Sequence, residues 1–331
     1  MMADTGESTQ FSEHSYLAVP TSSLIHRKIS LSDLFIRLPS DRMVKVAHKG
    51  GAIDVERISR FGDKDVHYLY VFKNELAGIV SDLVRGAEGL NHLPNIPSGL
   101  KVAKFFNIAE SVFAELLNMP LSDESIGRAV RLSQEIATAM REKPEFLQLV
   151  ETVVDLGDYF TKHSLGTVMM ANMLMTKLEW SSPKLLAPIT AGAFFHDVGL
   201  KEIPPELRFK NRIEMNKDER LMWECHPAKG VQLLSPLKSM TTDVLRIVQE
   251  HHEIPNGQGF PGKLRLDRIF PMAKVVSFAN VLSHDVFDML ERDSAFPMDA
   301  FTQRVDHIYA AMYGADLTRA ARLIFRPKGD E

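Results

Sequence analysis

The stretch ITAGAFFHDVGL, residues 189–200, decides how the chain is read. Ile189, Ala193, Phe194 and Phe195 make a strongly apolar helix, and it ends on His196, followed at once by Asp197. An imidazole and a carboxylate closing a core helix carry little alone; joined by further imidazoles at neighbouring helix ends they are the materials of a metal site in a bundle. Outward from this point the apolar period of a helix continues in both directions. It predicts helices over 99–118, 123–141, 145–158, 159–178, 183–197, 217–234, 241–252, 268–290, 298–313 and 315–325. Pro120, Pro183, Pro204-Pro205, Pro236 and the glycine cluster at 257–262 mark the connections.

Upstream the pattern changes. The pieces 34–38, 43–46 and 67–72 are short and rich in β-branched and aromatic residues, and read as strands. Ile53 to Phe61 reads as a short helix, and Asn74 as the N-cap of another running to about Arg85. Gly86 to Gly99 collects glycine and proline, as a linker does. The expected fold class is α+β: a mobile tail over 1–16, a small N-terminal α/β regulatory domain over 17–90, a linker over 91–98, and a larger all-α domain over 99–331.

Composition bounds the function. The 331 residues are 45% hydrophobic and 25% charged with a net charge of −4, which argues against a polymeric nucleic-acid binder. One cysteine, Cys225, excludes an internal disulfide framework and fits a reducing compartment. The start, MMADTGESTQ, has neither a basic region nor an apolar one, so it does not read as a signal peptide. The apolar run Leu185 to Phe195 is too short to span a bilayer. The expectation is a soluble cytoplasmic protein that does not associate with membranes.

Five histidines then stand out. His163 shares a helical stripe with Thr167, Met170 and Leu174, His196 ends its helix, His226 precedes Pro227, and His251-His252 end the helix begun near Thr241. Asn280 follows Ala273 and Val276 on another inner stripe. A single inward histidine is usually a satisfied core residue. Five with a carboxylate, at helix ends or inner faces of successive helices, are better read as ligands. Six such groups exceed the needs of one open catalytic ion and suit two, with Fe, Mn, Zn or Co compatible with imidazole and carboxylate donors.

Four ordered motifs now carry a resemblance: FFHDVGLKEIP, MNKDERLMWECHPAKGVQLL, HHEIPNGQGFPG and AKVVSFANV. Together they resemble the HD-GYP phosphodiesterases of the HD phosphohydrolase superfamily over roughly residues 150–290. The resemblance implies an all-α domain whose carboxylate-bridged metal centre hydrolyses cyclic di-GMP in bacterial second-messenger signalling. By position it implies His163, His196, Asp197, His226, His251 and His252 as ligands of two divalent transition-metal ions (Fe above all, Mn or Zn otherwise). Asp197 is the implied bridge and catalytic residue, and Asn280 stands where the last aspartate ligand is expected. Lys201 is the implied catalytic and phosphate-binding cation, and Gly257, Gly259, Phe260 and Pro261 form the implied substrate loop.

The departures from the family pattern are specific. Phe260 replaces the tyrosine of the family name, removing a hydroxyl while keeping a ring. Asn280 is a neutral substitute for a carboxylate. Leu200 stands where the family has lysine, with Lys201 one place later, and Ile254 replaces an arginine. Tyr159 and Phe160 leave no glutamate before the first histidine, so two metals are expected rather than three. His284-Asp285, one turn beyond Asn280, reads as a surface pair on the helix exit, with a compensating ligand set as the alternative. Two functions follow from this: a weakened phosphodiesterase, or a degenerate metal- or nucleotide-binding sensor acting through signalling proteins.

Overall fold

The computed structural model describes residues 8–10, 15–24, 29–54, 56, 58, 66–142, 146–154, 159–208, 210–292 and 296–325. Its sheet has β1 (Ser8–Gln10), β2 (Tyr16–Pro20), β3 (Leu34–Arg37), β4 (Arg42–Ala47) and β5 (Tyr68–Phe72), in the order β1-β4-β3-β5-β2. All pairings are antiparallel. The strands alternate: Leu69 and Val71 of β5 face the main core, while Tyr16, Phe35, Met43, Tyr70 and Phe72 form a small cluster of their own. β1 and β2 lie where the sequence reading ended a tail at residue 16. Pairing with β4 and β5 extends the sheet into that segment, an outcome of long-range register rather than local composition. The helix expected over 53–61 lies largely outside the described residues.

The helices follow the apolar period closely. α1 (Leu76–Ala87) buries Leu76, Ile79, Val80, Leu83, Val84 and Ala87 against α2 (Ser98–Asn118). Then come α3 (Asp123–Met140), α4 (Phe146–Val154), α5 (Tyr159–Met175) and α6 (Pro183–Phe195). The expected helix 217–234 is broken into α7 (Lys217–Trp223) and α8 (His226–Leu234). Pro227, with no N–H to give, fits only the first turn of the second piece. α9 (Thr242–Glu250), α10 (Pro271–Arg292), α11 (Met298–Arg304) and α12 (Ala315–Phe325) complete the bundle. A π-helical turn, Val305–Tyr309, follows α11.

One apolar core runs without interruption from the sheet (Val19, Leu34, Leu69) through α2 into the bundle. The segment expected as a linker is anchored there: Asn91 donates to the Glu135 carbonyl at 2.9 Å, and Lys101 donates to the Asn91 carbonyl at 3.3 Å. α5 lies along α10, α6 against α9, and the turn Val198–Glu202 against α8. Those three crossings bring the histidine-bearing ends together. Among the described residues, no helix is long and apolar enough to cross a membrane.

Candidate metal centre

His163, His196, Asp197, His226 and His251 are all buried, and they converge on the Asp197 carboxylate. Asp197 Oδ2 lies 3.3 Å from His196 Nε2 and 3.8 Å from His163 Nε2. Its other oxygen, Oδ1, lies 3.2 Å from His226 Nε2 and 3.5 Å from His251 Nε2. Two groups of donors result, His163–His196–Asp197 and Asp197–His226–His251–His252, and they share only that carboxylate.

The backbone sets the tautomers. Nδ1–H of His196 donates to the Ala193 carbonyl at 2.7 Å, that of His226 to Trp223 at 2.8 Å, and that of His251 to Val248 at 2.8 Å. A carbonyl only accepts, so each of these rings keeps its proton on Nδ1 and turns the Nε2 lone pair inward. Each acceptor lies three residues before its histidine, at or beside a helix terminus where carbonyls lack intrahelical partners. The sequence thus builds the same orienting contact three times.

Charge follows from burial. Burial, then the neighbouring His284 and His196, holds the His163 imidazole well below its ordinary pKa. Burial likewise lowers His251 to about 4 and drives His252 well down. Burial opposes ionisation of Asp197, but His196, His226 and His251 outweigh it and hold the carboxyl well below the usual range. His196 moves the other way: burial is outweighed by the Asp197 carboxylate and the Ala193 carbonyl, which raise it. Neutral imidazoles around an ionised carboxylate are the protonation states that metal ligands need. Asp197 Oδ1, His163 Nδ1 and His252 Nε2 are buried without a hydrogen-bond partner, a costly arrangement that a cation beside Oδ1 and Nε2 would relieve. The donor set therefore fits metal ions.

Asn280 is buried on α10. One turn before it, Ser277 Oγ donates to the Glu253 carbonyl at 3.0 Å; one turn after it, His284 stacks on His163 at 4.0 Å. Asn280 therefore shares the helix face that meets both ligand groups.

The glycine loop works differently from the expectation. A Cβ on Gly259 would sit 2.4 Å from Ile254 N and 2.5 Å from the His252 carbonyl oxygen, so only glycine lets the loop lie on the ligand-bearing backbone. The Gly257 N–H donates to the Ile254 carbonyl at 2.8 Å, and the Glu253 carboxylate accepts the N–H groups of Gly262 and Leu264. Those amides close the loop instead of facing an anion. Phe260 is buried and stacks on His252 at 4.4 Å, and Pro261 follows through a cis peptide bond.

Lys201 is a correction. Its ammonium donates to the carbonyls of Leu116, at 2.8 Å, and Met119, at the C-terminal end of α2. Unpaired helix-end carbonyls attract a cation, so this side chain caps a helix instead of reaching for phosphate. His284-Asp285 is a second correction. His284 accepts from or donates to Tyr159 Oη at 2.7 Å while stacked on His163, and Asp285 is buried against Arg304 and Tyr309. Neither is a surface pair.

Four residues of the site's surroundings escaped the sequence reading. Glu253 ties down the loop. Trp223 packs on His226 at 4.7 Å and on His252 at 5.4 Å. Arg212 lies over the Phe260 ring, 5.2 Å from its centroid. Tyr159 pairs with His284. Only Glu253, beside the paired histidines, had a local signal.

Comparison with known proteins places this geometry. The family model described as an HD domain matches residues 134–295. A curated relative, Cyclic di-GMP phosphodiesterase PA4108 of Pseudomonas aeruginosa, is 23% identical over 165 residues, half of this chain but 38% of that protein. Among solved structures, Bd1817, a HDG"Y"P protein from Bdellovibrio bacteriovorus, is similar in fold, with a TM-score of 0.66 and 19% identity over 94% of this chain and 100% of that one.

Proposed function

The chain is a member of the HD superfamily through residues 134–295, and from that premise we propose that it is an HD-GYP-type phosphohydrolase with a dinuclear metal centre acting on cyclic di-GMP. The observation that carries this reading is the pair of donor groups meeting at one buried carboxylate. His163 and His196 would hold one divalent ion and His226, His251 and His252 the other, with one oxygen of Asp197 for each. Asn280 would add a neutral amide oxygen. Imidazole and carboxylate donors without thiolate suit Fe, Mn or Zn. Bound there, such ions supply Lewis acidity toward a phosphodiester oxygen and acidify water.

The remaining work falls to side chains. Burial of His163, His251 and His252 favours their neutral forms. The His252–Phe260 stack forms one wall of the centre, with Gly259 and Glu253 fixing its position. That ring has no hydroxyl, so it orients by packing and donates no proton. Turnover is then slower than a tyrosine at 260 would allow, by roughly 10- to 1,000-fold.

A second reading, a metal- or nucleotide-binding sensor that signals through protein partners, is favoured by one observation. Lys201 is engaged by α2 and Phe260 has no hydroxyl, so two groups expected to handle substrate do not. The experiment measures metal content and conversion of cyclic di-GMP to the linear dinucleotide by metal-loaded wild type, Phe260→Tyr and Asp197→Ala. Turnover in the first two with none in the third is expected. Metal-loaded protein that binds the nucleotide but turns it over in neither of the first two would replace the enzyme by the sensor.

A further inference from the structure

We propose that Arg212 is the substrate-binding cation of this centre, holding a phosphate of the dinucleotide at its outer rim. The inference rests on the phosphodiesterase reading and adds the residue that meets the substrate's charge.

Within the two donor groups, His252 is the member that is only partly buried, so the donor set is least enclosed on its side. Phe260 contacts both His252 and Arg212. The Phe260 ring stacks on the imidazole at an angle of 24°, and the Arg212 guanidinium lies on Phe260. Arg212 is half exposed, whereas the Phe260 ring is buried.

Two other basic groups of these motifs have different duties. Lys201 caps α2, Lys229 donates to the Glu202 carbonyl at 3.1 Å, and position 254 is isoleucine. A phosphodiester anion held beside His252 and Phe260 would find the Arg212 guanidinium over the Phe260 ring.

The side chain is also held for the task. Its Nη2 donates to Glu224, two residues before His226, while the ring beneath fixes the guanidinium plane. Five N–H donors in a planar fork leave room for a bidentate phosphate contact beyond a single carboxylate oxygen. The loop carrying it is braced as well. Lys210 pairs with Glu219 at 2.8 Å, Asn216 and Glu219 form a reciprocal cap on α7, and Arg220 donates to the Arg212 carbonyl at 3.3 Å. Stacking on an aromatic face with a bidentate fork is a role that lysine does not reproduce.

The test compares full-length, metal-loaded wild type, Arg212→Ala and Arg212→Lys in two assays: hydrolysis of cyclic di-GMP, and binding of inorganic phosphate by calorimetry. Arg212→Ala is expected to keep its metal content, to weaken phosphate binding by about 10- to 100-fold, and to raise KM far more than it lowers kcat. Arg212→Lys is expected to recover only part of the loss. Equal phosphate affinities in wild type and Arg212→Ala overturn the proposal, as does a wild type that binds no phosphate. Loss of metal from Arg212→Ala also overturns it, because the residue would then be shaping the ligand set. A wild type that binds phosphate but neither binds nor hydrolyses cyclic di-GMP refutes the phosphodiesterase reading, while the phosphate comparison still decides the role of Arg212.

Discussion

Replacing Gly199 by alanine should empty one half of the metal centre without touching a ligand. Gly199 lies two residues after Asp197, in the turn that packs on the start of α8. A Cβ there would fall 1.9 Å from the His226 carbonyl oxygen and 2.6 Å from Gly230 N, both backbone atoms. The first separation must open by about 1.1 Å merely to reach 3.0 Å, beneath which real Cβ contacts essentially never fall. Forced overpacking of this kind costs ~1–3 kcal/mol in stability. More telling is its direction: it drives the start of α8, and with it His226 Nε2, away from Asp197 Oδ1, now 3.2 Å away. His163 and His196 stand on α5 and the end of α6 and are not pushed. The Gly199→Ala protein should therefore bind one ion near wild-type affinity and the second on the order of 10- to 100-fold more weakly. Titration with Mn, followed by calorimetry and metal analysis, reads both. Gly127→Ala is the control: the nearest atoms to its Cβ would be Arg131 Nη1 at 3.7 Å and Ser239 Oγ at 3.9 Å, ordinary contacts away from the centre. Equal loss at both ions, or none at either, would refute the argument from the crossing.

Three further outcomes are expected. Asn280→Asp should tighten the more weakly held ion on the order of tenfold by supplying a charge; equal Mn affinities would place residue 280 away from the ions. Metal-free protein should lose stability as pH falls from 6.5 toward 4. The unfolded chain takes up a proton on His251 in that window that the folded one, with a pKa of about 4, does not, and His163 and His252 act in the same direction while His196 opposes them. Each such histidine contributes up to about 1.4 kcal/mol per pH unit, and urea midpoints that stay level from pH 7 to 4.5 would contradict this. Lys201→Met should cost about 1–2 kcal/mol by leaving the Leu116 and Met119 carbonyls unpaired, with metal content and KM unchanged; a large rise in KM would restore Lys201 to the substrate.

What the sequence by itself determined is the local part. Helix positions follow from apolar residues three and four apart, which any window of the chain contains, and so does the placement of His196 and His251 at helix ends. The order of motifs also named the residues that converge on Asp197. The break before Pro227 was not read, although a missing N–H is a property of one residue. Tertiary structure decided the rest, because it depends on partners far along the chain. Lys201 finds its acceptor 85 residues away, His284 pairs with Tyr159 across 125 residues, and β2 enters the sheet only by pairing with β5. A lysine on a four-carbon stem, or a histidine one turn past Asn280, has the same local sequence whichever way it turns. Its direction is fixed by the carbonyl or ring that another segment brings within about 3 to 4 Å, and periodicity carries no information about that segment.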